Sequence, residues 1–306
     1  MQREKRTISG RLFEADFFPV FRSTGVAMPS RAPKEKQSSA AQAKYNRQQA
    51  IKKLIRLVNA NFDNSDYLMH PTYTQAEAPT SWDEAQKNIR NYIRRVRDAR
   101  KKKLREVEKS ISEAEELYRL TPNKFVEQTL SRLTRKAEKL SEPLKYAIAV
   151  EEVTYKSGDR KGLTNYHYHL FVTGGLSRFA MENLWHKGER VNCDRFRPDV
   201  FGPEAAARYI SKQCAGKKRI IYSRNLEEPK VKIKDGGTTK RELERWCAER
   251  ADDAEFWEKR YKGYKFVRAF PRWNEYNANW YLTVIMYKPD ESGQAPPWTA
   301  DAWECA

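Results

Sequence analysis

Two histidines one residue apart, His167 and His169, lie in the stretch Asn165-Tyr166-His167-Tyr168-His169-Leu170-Phe171-Val172-Thr173-Gly174-Gly175. The carboxylates Glu151 and Glu152 precede this stretch, and Tyr209 follows it. Its alternation predicts a β-strand, with Tyr168, Leu170 and Val172 on one face and His167, His169 and Phe171 on the other. Two imidazoles side by side on an open strand face are part of a divalent-metal site, because neutral imidazole is the commonest protein metal ligand. The plainer alternative is a pair of exposed or hydrogen-bonded histidines.

The element that must complete such a site is Tyr146-Ala147-Ile148-Ala149-Val150-Glu151-Glu152-Val153, which also alternates. With Tyr146, Ile148 and Val150 toward the core, Glu151 shares the open face with the histidines, and Ala147 and Ala149 leave room for a ligand. The intervening Lys156-Ser157-Gly158-Asp159-Arg160-Lys161-Gly162 has turn residues where a hairpin needs them, so the two strands are expected as antiparallel neighbours. Glu151, His167 and His169 then form a mixed oxygen and nitrogen set suited to Mg²⁺ or Mn²⁺, and less exclusively to Zn²⁺. Glu152 takes the place of Glu151 if the register slips by one.

Downstream, Pro203 and Glu204 suit the first turn of a helix that the alanines at 205–207 propagate, placing Lys212 and Gln213 on the face of Tyr209. A phenol ordinarily ionises near pH 10, roughly, so a tyrosine nucleophile needs nearby positive charge, which Lys212 and a bound cation supply. Taken alone, the helix reads equally as one carrying a packing tyrosine.

Together these residues resemble the HUH endonucleases that initiate rolling-circle replication. The signature of that family is a pair of histidines flanking one hydrophobic residue, here His167-Tyr168-His169, followed by a helix bearing the tyrosine nucleophile, here Tyr209-Ile210-Ser211-Lys212. The chain is most similar to replication-associated proteins related to filamentous-phage gene II protein. Further matching stretches are Lys44-Tyr45-Asn46-Arg47 leading to Asn61-Phe62, Leu184-Trp185-His186-Lys187-Gly188, and Tyr222-Ser223-Arg224-Asn225-Leu226 with Pro229. The resemblance implies a metal-dependent DNA endonuclease and strand transferase. In such an enzyme Tyr209 attacks a phosphodiester of single-stranded or supercoiled origin DNA, leaving a 5′-phosphotyrosine adduct and a free 3′-hydroxyl primer. It implies the metal set Glu151, His167 and His169, with Mg²⁺ or Mn²⁺ as cofactor, and Lys212 as helper. A host helicase and polymerase are its implied partners, since no Walker-type phosphate loop is present. The same chemistry serves HUH transposases and relaxases. A non-catalytic basic DNA-binding protein is the competing class.

Bulk properties agree with an anionic partner. The 306 residues carry a formal net charge of +18, and 39% are hydrophobic, enough for one good core with appendages or for two small domains. No apolar run approaches the roughly 20 residues needed to span a bilayer, and no signal-peptide core is seen near Met1. Cys193, Cys214, Cys247 and Cys305 lack paired spacing and read as reduced thiols of a cytoplasmic protein.

The expected architecture is α+β: an antiparallel sheet of the HUH nuclease type with helices packed on one face. Residues 1–43 read as an N-terminal arm with an apolar anchor (Phe13, Phe17, Phe18) and a linker, 44–234 as the nuclease core, and 235–306 as an α+β extension and tail. A helical hairpin is inserted at about 100–143, where helical spacing continues, breaks at Thr121-Pro122 and resumes. In the strand containing His70-Pro71, proline predicts an edge position or an early end; His70 is read first as a surface histidine, with contact to the metal site or the DNA as the alternative. Gly188 is expected to cap the helix that ends near Trp185. Arg94, Arg95, Arg97, Lys101 and Lys102, where the hairpin leaves the core, and Arg219 and Arg224 downstream are candidates for DNA phosphate contacts.

Overall fold

The structure is a computed structural model and describes residues 1–21, 40–154, 162, 164–188, 191–196 and 220–289. In chain order the elements begin with β1 (Gln2–Ser9), β2 (Leu12–Pro19), α1 (Ala40–Asn61), β3 (Tyr67–Pro71), α2 (Trp82–Leu120) and α3 (Lys124–Ser141). Next come β4 (Tyr146–Thr154), β5 (Thr164–Val172), α4 (Arg178–Asn183), β6 (Val191–Arg195) and β7 (Ile220–Tyr222). The last are β8 (Lys230–Asp235), α5 (Lys240–Glu249), α6 (Ala254–Arg260), β9 (Lys265–Asn274) and β10 (Asn279–Tyr287). The fold is α+β, with two five-stranded antiparallel sheets, one in each of two compact units.

The unit that carries the histidines has the strand order β6-β3-β5-β4-β7. Its inward positions, Tyr67 and Met69 on β3, Ile148 and Val150 on β4, and Tyr168, Leu170 and Val172 on β5, form a core with Ile89, Tyr92, Ile93 and Val96 of α2 and with Trp185. Helix α2 is capped at its start: the Ser81 hydroxyl accepts from the Glu84 N–H, and the Glu84 carboxylate accepts from the Thr80 N–H. It runs unbroken into the hairpin, and after the Thr121-Pro122 break Asn123 caps α3 by accepting from the N–H groups of Phe125 and Val126.

One buried cation fastens the root of this hairpin. Arg100, 3% exposed, donates through Nη2 to the carbonyls of Lys139 (2.8 Å), Leu140 (3.3 Å) and Glu142 (3.0 Å), and through Nη1 to the carbonyl of Gly174. It satisfies the orphan carbonyls at the end of α3 while tying them to the end of β5. The Gly174-Gly175 pair makes room: a Cβ on Gly174 would lie 2.2 Å from the Ser65 carbonyl oxygen, and Gly175 has φ +109.

Proline ends β3 early, as expected, but the strand lies inside the sheet, between β5 and β6, with Pro71 as its last residue. Gly188 does not cap α4. The residue of positive φ after that helix is His186 (φ 54), and Gly188 is needed because a Cβ there would meet the Thr72 carbonyl oxygen at 2.2 Å.

The other unit corrects the expected domain boundaries. Residues 1–21 are not an arm: β1 and β2 form a hairpin inside the sheet β8-β1-β2-β10-β9, so the two ends of the chain build one unit. Phe13, Ala15 and Phe17 alternate toward Trp246, Trp257, Leu282, Val284 and Met286, giving the apolar cluster a core of its own beneath α5 and α6. On the opposite face, α1 is held by Arg56, which donates to both oxygens of the buried Glu14 (2.6 and 3.0 Å). Helix α1 therefore belongs to this unit. Residues 22–39 and 290–306, read above as linker and tail, lie outside the described residues.

Replacing Arg100 by Leu would leave several buried carbonyls without a donor. The expected cost is about 3 kcal/mol, seen as a lower denaturation midpoint and faster tryptic cleavage within α2 and α3. Unchanged cleavage would mean that the apolar stripe alone holds the hairpin.

Candidate functional site

The register of β4 against β5 puts the expected carboxylate on the expected face. Glu151 stands opposite His167 and Ala149 opposite His169, while Glu152 stands opposite Tyr166 on the helix-covered side. Directly paired residues of antiparallel strands project to the same face, so Glu151, His167 and His169 share the side away from α2 and α3. Glu151 Oε2 lies 3.5 Å from His169 Nε2, and both residues are buried, at 6% and 5% exposure. This contact is longer than a charge-assisted hydrogen bond.

A third histidine joins the row from β3. Met69 pairs with Leu170 on the core side, so the next residue, His70, projects to the histidine side, where its ring meets that of His169 edge-on at 4.9 Å. The expectation of a surface His70 is therefore corrected: it is half-buried, with Asn192 beside it on β6. Its inclusion follows from period two once β3 is known to neighbour β5. Nothing local to His70-Pro71 specifies that neighbour.

Burial sets the charge state of these imidazoles. It pushes His169 down to about 3, with the neighbouring His70 and His167 adding to the shift, and it also lowers His167 and His70. Each imidazole thus presents neutral nitrogen, the form a metal ion requires. As placed, no three His, Cys, Asp or Glu side chains among the described residues converge tightly enough to enclose a metal ion. The donor types suit a hard divalent cation, and Glu151 with His169 is the pair already brought together.

Tyr209, Lys212 and Arg219 lie outside the described residues. Tyr168, between the two histidines, points to the core, donates to the Ala85 carbonyl (2.8 Å), and has its phenol pushed far up by burial, which rules it out as a phenolate. Tyr222 pairs with Ala147 and so faces the histidine side, but Glu151 lies four positions further along β4, roughly 13 Å of strand away.

The basic candidates divide by role. Arg95 donates to the carbonyls of Leu184 (2.8 Å) and Trp185 (3.1 Å), a structural contact at the end of α4. Arg94 and Lys102 are exposed on α2. Arg97 and Lys101, one turn apart, line a cavity of about 750 Å³ at the hairpin root together with Arg224, Tyr222 and Asn225. Three of the sequence candidates, from segments more than a hundred residues apart, therefore converge on one basic hollow.

Compared with protein-family models, with curated proteins and with solved structures, the chain has no match.

The His169 shift has a consequence for stability. Its folded pKa lies below the unfolded value of about 6.5, so the unfolded chain binds the extra proton. Stability is whole above about pH 6.5 and falls as pH drops toward 3. In proton NMR of the metal-free protein, the His169 Cε1 proton should not titrate between pH 5 and 8; a midpoint inside that window would mean that the ring is solvated.

Proposed function

We propose that this chain is a tyrosine-dependent DNA-nicking enzyme of the HUH type, acting as a rolling-circle replication initiator on single-stranded origin DNA. The observation that carries this reading is the strand register that sets Glu151, His167 and His169 on one face, with Glu151 Oε2 3.5 Å from His169 Nε2. The net charge of +18 and the hollow lined by Arg97, Lys101 and Arg224 support a nucleic-acid substrate.

In this reading Glu151, His167 and His169 hold Mg²⁺ or Mn²⁺, which when bound supplies Lewis acidity at the scissile phosphate. The Tyr209 hydroxyl forms the new bond to phosphorus, the bond from phosphorus to the 3′ oxygen breaks, and that oxygen takes up a proton to leave a 3′-hydroxyl. Lys212 favours the phenolate and steadies charge on the leaving oxygen. The phosphotyrosine conserves the bond energy for later rejoining, and the 3′-hydroxyl primes synthesis by a host polymerase behind a host helicase.

The test is incubation of the protein with labelled single-stranded DNA from the candidate origin of its own element, with Mn²⁺ or with EDTA, for wild type, Tyr209→Phe and Glu151→Gln. Products are separated under denaturing conditions before and after proteinase treatment. A nick with protein on its 5′ end is expected. It should vanish with EDTA or Tyr209→Phe and slow by about a hundredfold or more with Glu151→Gln. An adduct that persists in Tyr209→Phe would reject that residue as nucleophile. Salt-sensitive binding without any cut would favour a non-catalytic DNA-binding protein.

A further inference from the structure

The unit built from the two chain ends holds a second cavity, of about 550 Å³, between α1 and the face of the sheet on which Glu14 lies. That volume falls within the range of small-molecule sites, roughly 300 to 1,000 Å³. Helix α1 contributes one stripe of residues, Tyr45, Gln49, Lys52 and Arg56, at spacings of four, three and four. The sheet contributes Lys5 from β1, Asp16 from β2, Arg272 from β9, and Tyr281 with Thr283 from β10.

Charge in this cavity is unbalanced. Four cationic side chains, Lys5, Lys52, Arg56 and Arg272, face the single lining carboxylate of Asp16; counting Glu14 beneath Arg56 makes two carboxylates. Both acids are engaged within the fold: Glu14 accepts from Arg56, and Asp16 accepts from the Thr283 hydroxyl at 2.7 Å. Burial holds the Lys52 ammonium below its ordinary value, and Arg56 and Arg272 add to that effect against the pull of Asp16 and Glu14. An anion placed here relieves the crowding of like charge.

Flat surfaces stand beside the cations. The Arg272 guanidinium lies over the Tyr281 ring at 5.2 Å, Phe270 lines the same wall, and Tyr45 is 54% exposed. The amide of Gln49 offers donors and an acceptor at the edge. Stacking faces, amide edges and clustered cations match the base, the base edge and the phosphate of a nucleotide. An acidic peptide would use the cations but leave the stacking faces unmatched.

We propose that this cavity is a nucleotide-binding site, taking the phosphate on Lys5, Lys52 and Arg272 and the base against Tyr45, Phe270 and Tyr281. It is separate from the histidine face and needs no metal. Arg56 is left to hold Glu14.

The experiment uses the full chain with Tyr209→Phe, in EDTA, so that a failure of the nicking reading leaves it untouched. A 12-nucleotide single strand carrying 5-iododeoxyuridine is photocrosslinked to the protein, and the adduct is mapped by mass spectrometry, with and without thymidine 5′-monophosphate as competitor. Adducts on Tyr45, Phe270 or Tyr281 are expected. Their yield should drop about tenfold when Lys52→Gln and Arg272→Gln are combined, with circular dichroism checking that this variant is folded. Protection by millimolar monophosphate would identify a free nucleotide as the occupant; labelling that only an excess of unlabelled strand suppresses would identify a unit of a strand. Adducts confined to other residues in the wild-type cavity, or an undiminished yield in the folded double variant, would overturn the proposal.

Discussion

The candidate site depends on the pairing register of β4 with β5. Because side chains alternate with period two, a slip of one residue would carry Glu151 to the helix-covered face and bring Glu152 and Val150 out in its place. The register is pinned from the core side. Ile148 faces Leu170 and Val150 faces Tyr168, and a slip of β4 would expose Ile148 and Val150 as it buried Glu151 against α2. Hydrophobic burial on one face thereby determines which polar groups meet on the other.

The two faces of that sheet consequently carry different work. The helix-covered side is closed by satisfied polar contacts: Tyr73 and Tyr168 share a 2.6 Å hydrogen bond, Tyr92 donates to the Met181 carbonyl, and Trp185 donates to the Thr72 carbonyl. Arg100 extends this closure to the hairpin by binding carbonyls at both the end of α3 and the end of the histidine strand. One arginine thus stiffens the strand that bears His167 and His169 and also anchors the helices whose root forms the basic hollow. Of the neighbouring run, Arg97 and Lys101 are left to face that hollow.

How much of this was legible in the sequence varies with the range of the interaction. The faces of β4 and β5 and the break at Thr121-Pro122 follow from local periodicity and turn chemistry, and both are found. Strand β1 was missed because its inward positions include Glu4 and Arg6, charges that a reading of apolar alternation discounts. They are accommodated by pairing, with Tyr261 donating to Glu4 at 2.7 Å and Arg6 at hydrogen-bond distance from the same carboxylate. Strand β2 was readable in Phe13, Ala15 and Phe17, but its partner β10 lies more than 260 residues away, and no local signal names such a partner. For His70 the surface reading was preferred over contact with the metal site for the same reason, since its place depends on which strand lies beside β3.

Burying His169 and Glu151, and half-burying His167 and His70, on one sheet face carries a desolvation cost. Desolvation opposes protonation, so the imidazoles stay neutral over the physiological range, and a cation would not have to compete with protons for their nitrogens. Ala147 and Ala149 lie in the same stretch of the face and are fully buried, at 0% and 1% exposure. A sheet selected for stability alone would place branched aliphatic residues at these positions, as β4 does on its other face with Ile148 and Val150. The two faces of one strand thus differ in kind, with small and polar side chains on the histidine side and large apolar ones on the other.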